Sequence, residues 1–340
     1  MKADTGIVTV DDLLEVNKHT YRLLSDPKAK PKGLPGFEFI RYNFDKTSHH
    51  GGAAYYHEGS GTVVLAHPGS ATAKDWLVTD TGILLGKKQT KADVAAVDFA
   101  ESVMAELASN KKLISGVVET GHSKGGRESQ AVTAHLASKG IIPCVGLTFN
   151  SAMISKKTKL PDIDYDHVNL RMTGGGLFKT DVVSSVGTQL GKNADFPNPE
   201  VKNFIQAHLL GSFDSGLKRL SEIGGMAVHD LIASCKKGLS IPQINEQAMA
   251  KKSTTEIVRE HHPAPEILGT NMPSTKGKIV GETATESIQR LGEGSRFFKI
   301  HDKSKLASIP KVGDTVQITY SSGSIKAAVK SIGHQRVNTR

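Results

Sequence analysis

Gly121-His122-Ser123-Lys124-Gly125 places a serine between two glycines at G-x-S-x-G spacing. That spacing suits a sharp strand-to-helix turn that lifts the serine hydroxyl clear of the backbone. Gly121 and Gly125 serve the turn because neither carries a Cβ to clash with the adjoining strand and helix. The N–H of Lys124, the residue after the serine, is placed to meet the oxygen on which charge develops in acyl transfer. A serine hydroxyl needs a histidine to take its proton, and the histidine needs a carboxylate to fix its tautomer. On this kind of turn the three follow in the order Ser, Asp or Glu, His. The acid is therefore sought among Asp162, Asp164, Asp166 and Asp181, and the base among His167, His208 and His229. His167 precedes Asp181 and fits that order poorly. His122 adjoins the serine but is expected to point into the packing of the turn, since an elbow exposes one side chain.

The chain has 34 glycines in 340 residues, so the five-residue pattern has little weight alone and its flanks must decide. Residues 113–118, Leu-Ile-Ser-Gly-Val-Val, read as a buried strand before it, and residues 126–138 fit a helix after it. Upstream, 62–66 is a β-branched strand that ends at the turn His67-Pro68-Gly69-Ser70. Ala92, Ala96, Phe99, Ala100, Val103, Met104 and Leu107 form one stripe at helical spacing. Residues 144–149 and 168–172 are further strands. Strands alternating with helices predict an α/β domain, with a mainly parallel sheet covered on both faces.

Thr120-Gly121-His122-Ser123-Lys124-Gly125-Gly126, followed by Leu147-Thr148-Phe149-Asn150-Ser151-Ala152, resembles the elbow and next strand of the class 3 lipase group, closest to its Mbeg1-like branch. Val63-Val64-Leu65-Ala66-His67-Pro68-Gly69-Ser70 stands where these lipases carry a strand ending in a Gly-Ser or Gly-Thr turn. Lys74-Asp75-Trp76-Leu77 is similar to their Asp-Trp pair. The resemblance covers roughly residues 35–220 and implies an α/β-hydrolase fold. It implies Ser123 as nucleophile, Asp181 in the Asp-x-Val segment as acid, and His208 as base. It also implies Ser70 beside Lys124 as oxyanion donor. The stretch Gly174-Gly175-Gly176-Leu177-Phe178 between strand and Asp181 departs from the family pattern. Two plainer roles compete. Asp is a favoured helix N-cap, and His208 shares a helical face with Val201, Phe204, Ile205 and Leu209, as a core histidine would. Residues 86–93 and 172–180 are each positioned to flank a lid.

Charge divides the chain. Residues 226–340 hold 17 Lys and Arg against 10 Asp and Glu, a net of +7 out of +9. Pro263-Ala264-Pro265 and Asn271-Met272-Pro273 resist regular structure. After them, 278–280, 287–289, 296–300 and 315–320 read as short strands separated by Gly-rich turns. Ile288-Gln289, Phe298-Lys299-Ile300-His301 and Val312-Gly313-Asp314-Thr315-Val316-Gln317-Ile318-Thr319-Tyr320 are similar to the KfrB domain of plasmid and phage proteins. The expected organisation is a lipase-like domain over 1–225, a helical and polar linker over 226–272 and a small all-β, KfrB-like domain over 273–333.

No metal or cofactor is expected. His49-His50 and His261-His262 are adjacent pairs that cannot turn both rings to one ion, and Cys144 and Cys235 lie far apart. There is no P-loop and no dinucleotide fingerprint. Met1-Lys2-Ala3-Asp4 lacks the apolar core of a secretory signal, and no apolar run spans a bilayer. Synthesis in the cytoplasm is expected, with export by a non-Sec route if the protein leaves the cell. Two functions are in view. One is a serine hydrolase of lipid esters, of lipase or phospholipase A type. It would touch membranes transiently and act as a mobile-element effector with a secretion or immunity partner. The other is a scaffold that binds nucleic acid through residues 273–340, with a soluble acyl esterase or thioesterase as a milder variant of the first.

Overall fold

The computed structural model describes residues 6–70, 90–140, 142–154, 163–176, 179–185, 187–251, 254–262, 265–268, 274–283, 286–320 and 327–331. They divide into two compact units, Met1–Asn245 and Glu246–Arg340.

The first unit is built on a seven-stranded sheet in the order β1-β2-β3-β4-β5-β6-β7. β1 (Phe37–Asp45), β2 (His50–His57) and β3 (Thr62–His67) form an antiparallel meander. From β3 onward, β4 (Gly116–Gly121), β5 (Cys144–Phe149), β6 (His167–Thr173) and β7 (Lys192–Pro197) run parallel. Every residue of β3, β4 and β5 is buried. That accounts for their near-continuous apolar sequence, because parallel strands have helices over both faces. Successive side chains alternate between two cores. Val64 and Ala66 join Val118, Leu147 and Phe149 on one face, under the helix α1 (Val10–Ser25). Val63, Leu65 and Val117 join Ala96, Phe99, Val103 and Val132 on the other, under α2 (Lys91–Ser109) and α3 (Lys124–Lys139). Each fully buried Val or Leu contributes about 1.5–3 kcal/mol.

Short helices follow β7: α4 (Phe204–His208), α5 (Ser212–Arg219), α6 (Ser221–Gly225), α7 (Val228–Lys236) and α8 (Ile241–Lys251). The first unit extends past residue 225, where the composition suggested a linker. Val228, Leu231, Ile232 and Cys235 of α7 are buried in the same core as β5 and β6, as are Ile241 and Ile244 of α8. The apolar positions of these helices, rather than their polar ones, decide where they belong.

The second unit carries α9 (Thr254–His261) and a six-stranded sheet in the order β13-β12-β9-β10-β11-β8. Its strands are β8 (Glu266–Ile267), β9 (Ser274–Glu282), β10 (Glu286–Arg290), β11 (Phe297–Asp302), β12 (Thr315–Thr319) and β13 (Ala328–Ser331). Ile257 and Val258 of α9 pack with Ile288 and Phe298, and Ile279, Val316 and Ile318 form a second small cluster. An α/β-hydrolase domain and a separate all-β sheet are thus both present, as the sequence predicts. Among the described residues no helix is long and apolar enough to cross a membrane.

Candidate active site

Ser123 sits between β4 and α3 with φ 58° and ψ −125°, outside the regions a residue with a Cβ prefers. Such backbone costs on the order of 1–3 kcal/mol and persists only where its surroundings enforce it. Here they do. A Cβ on Gly121 would lie 2.3 Å from the Gly125 carbonyl oxygen, and one on Gly125 would lie 1.9 Å from that of His67. Only glycine lets α3 seat this closely on the ends of β3 and β4. Ser123 donates its N–H to Phe149 O at 3.3 Å, tying the turn to β5. Its carbonyl accepts from Gly126 and Ala152. The Lys124 N–H, at the first position of α3, has no backbone acceptor among the described residues. First-turn amides of a helix have no partner within it.

Asp181 and His208 meet directly, with Asp181 Oδ1 2.8 Å from His208 Nδ1. The glycine-rich stretch before Asp181 leaves that contact in place. Gly174 donates to Lys179 O, Thr173 pairs with Thr180, and the Asp181 N–H donates to Met172 O at 3.0 Å, which holds Asp181 against the end of β6. The Asp181 carboxylate also accepts from the amides of Val183 and Ser184 and from the Ser184 hydroxyl. It therefore does resemble an N-cap, over a 3-10 turn at Val183–Ser185, while also holding the histidine. Burial pushes its pKa up, but the bond to His208, that ring's charge and the Ser184 donors outweigh burial and hold the carboxyl below its ordinary value. Nδ1–H of His208 is fixed towards the acid, which leaves Nε2 as the nitrogen able to accept a proton.

Tyr21 and Asn150 bring these parts together, and sequence reasoning picked out neither. Tyr21 Oη accepts from the Gly69 N–H at 2.9 Å and donates to His122 Nδ1 at 2.7 Å. His122 Nε2–H then donates to the His208 carbonyl at 2.7 Å. Burial, with the His208 ring beside it, pushes His122 down to about 3. The ring is therefore neutral and can accept at one nitrogen while donating at the other. Asn150 Nδ2 donates to the carbonyls of Ala207 and His208. The turn before Ser70, the nucleophile turn and the helix bearing His208 are thus cross-linked by hydrogen bonds. A Cβ on Gly69 would lie 3.0 Å from Ser123 Cβ, so Ser70 follows a residue in contact with the nucleophile. The signal for Tyr21 is the capping box Thr9-x-x-Asp12, where Thr9 Oγ1 accepts from Asp12 N–H and Asp12 from Thr9 N–H.

The other candidates lie elsewhere. His167 is a core residue between Thr133 and Thr148. His229 is exposed on α7. Asp164 and Asp166 pair with Lys236. Asp162, Asp75 and Trp76 fall outside the described residues, as do 86–89 and 177–178 of the two segments considered for a lid.

His122 and His167 carry a pH signature. Both are drawn by burial from 6.5 to about 3. The unfolded chain therefore takes up protons at these sites below about pH 6.5, where the native state does not. Stability falls as pH drops through that window, by about 1.4 kcal/mol per pH unit for each site. In His167→Gln the slope between pH 6 and 4, read from urea unfolding, is expected to flatten by that amount. An unchanged slope means that the native ring is charged.

No curated protein matches this chain. Residues 274–329 match the model of the KfrB Domain family. Among solved structures the chain is similar to the lipase from Rhizopus microsporus var. chinensis, at 14% identity and TM-score 0.40, over 56% of this chain and 76% of that one. It is similar to the triacylglyceride lipase of Rhizomucor miehei, at 12% and 0.42, over 56% and 79%. Lip2 lipase from Yarrowia lipolytica aligns at 12% and 0.40, over 55% and 77%.

Proposed function

We propose that residues 1–245 are a serine hydrolase of carboxylic esters of lipids, of lipase or phospholipase A type. The observation that carries this reading is the 2.8 Å pair of Asp181 and His208, hydrogen-bonded through His122 to the strained turn at Ser123. Ser123 Oγ attacks the ester carbonyl as His208 Nε2 takes its proton, and Asp181 stabilises the imidazolium. The N–H groups of Lys124 and Ser70 hold the oxyanion. Its collapse expels the alcohol, which receives the proton from His208. Water, activated by the same histidine, then releases the fatty acid and frees Ser123.

Apolar residues beside these groups favour an acyl chain as substrate. Val182 adjoins Asp181, and Ile205 and Leu209 flank His208 one helical turn apart. All three are exposed, at 41%, 46% and 44%. Exposed apolar side chains near in sequence to the proposed acid and base are placed to meet a lipid tail or a membrane surface. With the KfrB Domain match over 274–329 beside it, our reading is a mobile-element effector that delivers this activity. The test is hydrolysis of p-nitrophenyl esters of rising chain length and of phospholipid vesicles, with Ser123→Ala as control. Equal rates in the two proteins would refute the reading.

Tyr21→Phe removes the hydroxyl that spans Gly69 and His122 and leaves both without that partner. A loss of about 1–3 kcal/mol is expected. kcat should fall about 10- to 100-fold through misplacement of the oxyanion turn, with KM little changed. A kcat equal to the wild type would show that the turn holds its position without Tyr21.

A further inference from the structure

Beneath the nucleophile turn, on the side of the sheet covered by α2 and α3, lies a buried polar cluster that the hydrolytic reading does not use. His50 stands at the start of β2, His67 at the end of β3 and Glu128 on α3, each at most 1% exposed. His50 Nε2 lies 3.1 Å from His67 Nδ1 and 4.0 Å from Glu128 Oε2, and one ligand atom from each of the three residues falls within 4.8 Å of the others. Glu128 Oε1 accepts from Lys124 Nζ, but Oε2, on the side of the imidazoles, has no hydrogen-bond partner among the described residues. A buried carboxylate oxygen left unpaired costs on the order of 1–3 kcal/mol or more.

We propose that His50 Nε2, His67 Nδ1 and Glu128 Oε2 bind one divalent transition-metal ion, zinc by its donor set. Two imidazole nitrogens and one carboxylate oxygen are a zinc combination that leaves a fourth position for water. Ligand bonds of about 2.0–2.1 Å set tetrahedral ligand atoms about 3.3 Å apart. The two nitrogens already stand at that separation. Glu128 has to close by about 1 Å, and its unpaired oxygen is free to do so.

The surroundings have the form of a second shell. His67 Nε2 lies 3.1 Å from Glu119 Oε2, with both side chains fully buried. A metal-bound histidine characteristically donates its other N–H to a carboxylate, which fixes the tautomer that presents the ligating nitrogen. Without a cation, the contact between the two rings has to share one proton. Metal binding moves that proton to the far nitrogen of its own ring, an exchange of tautomer, and replaces the contact with two coordinate bonds. A dication there would face both buried carboxylates, Glu128 directly and Glu119 through His67. Such an ion would join β2, β3 and α3 directly behind Ser123, bracing the strained turn without touching substrate.

The experiment uses the full chain, stripped with a chelator and titrated with Zn²⁺ by calorimetry and with Co²⁺ by visible absorption. One equivalent is expected, with the intense d–d bands of a four-coordinate cobalt site and a rise in Tm. His50→Gln, His67→Gln and Glu128→Gln should each abolish the bands. Glu119→Gln should weaken binding about 10- to 100-fold. Ser123→Ala and His208→Gln should leave the site intact. Failure of the wild type to bind one equivalent overturns the proposal. So does binding that survives His67→Gln, or binding that disappears in His208→Gln. If a ligand variant does not fold, Glu119→Gln decides, because an unchanged affinity there is incompatible with the assigned second shell.

Discussion

Ser123→Ala is expected to lower ester hydrolysis by on the order of 10⁵- to 10⁶-fold and to end labelling by a fluorophosphonate probe. On the proposed mechanism, the size of the effect follows from removal of the atom that would form the acyl bond, while the proposed oxyanion amides remain and sustain a small residual rate. Stability should change little in Ser123→Ala, since alanine keeps the Cβ and so the strain of φ 58°. Ser123→Gly relieves that strain and should gain about 1 kcal/mol or more in urea unfolding while remaining inactive. Stability and activity thus separate at one position. If Ser123→Gly were less stable than Ser123→Ala, the backbone there would not be held against its preference. If Ser123→Ala kept its activity, the nucleophile would lie elsewhere.

Gly125→Ala carries the largest expected effect on folding. The added Cβ would stand 1.9 Å from His67 O and 2.4 Å from His67 C. Both are backbone atoms of a buried strand, which cannot swing aside as a side chain can. Either α3 lifts from β3 or β3 leaves its register with β4, and each route opens the core under Val132 and Leu65. A loss above about 4–5 kcal/mol is expected, enough to leave little folded protein at 37 °C. Gly225→Ala, where a Cβ meets nothing within 4 Å, should be tolerated and serves as the control. Soluble yield and thermal melts of the two variants make the comparison. A folded Gly125→Ala protein with wild-type Tm would show that the close approach of α3 and β3 is not required.

The elbow was legible because its constraint is local. Gly121, Ser123 and Gly125 act on neighbours within a few residues, so their spacing records the geometry directly. The buried strands were legible for a related reason, since β3 and β5 have no solvent face to interrupt their apolar runs. What escaped depends on partners distant in sequence. The buried face of α1 includes Asp12, Asn17, His19 and Thr20, which break the apolar period. Asn17, for one, is buried because it donates to Thr120 Oγ1. β2 was missed because Gly51-Gly52-Ala53-Ala54 looks like a loop. A Cβ on Gly52 would lie 2.7 Å from the Phe99 ring, so a glycine is needed there for packing rather than turning. The adjacent pair His49-His50 argued against a metal only along the chain. Sheet pairing sets His50 beside His67 instead, a neighbour that no spacing rule supplies.

The links from Tyr21 through His122 to His208 also bear on biosynthesis. The segments they join are made at opposite ends of the first unit: α1 emerges first, the nucleophile turn midway and α4 nearly last. A ribosome-bound chain that has exposed Ser123 but not yet Asp181 and His208 has neither its base nor the carbonyl that anchors the His122 ring. On the proposed mechanism, hydrolytic competence is therefore gained late, when most of the unit has been synthesised.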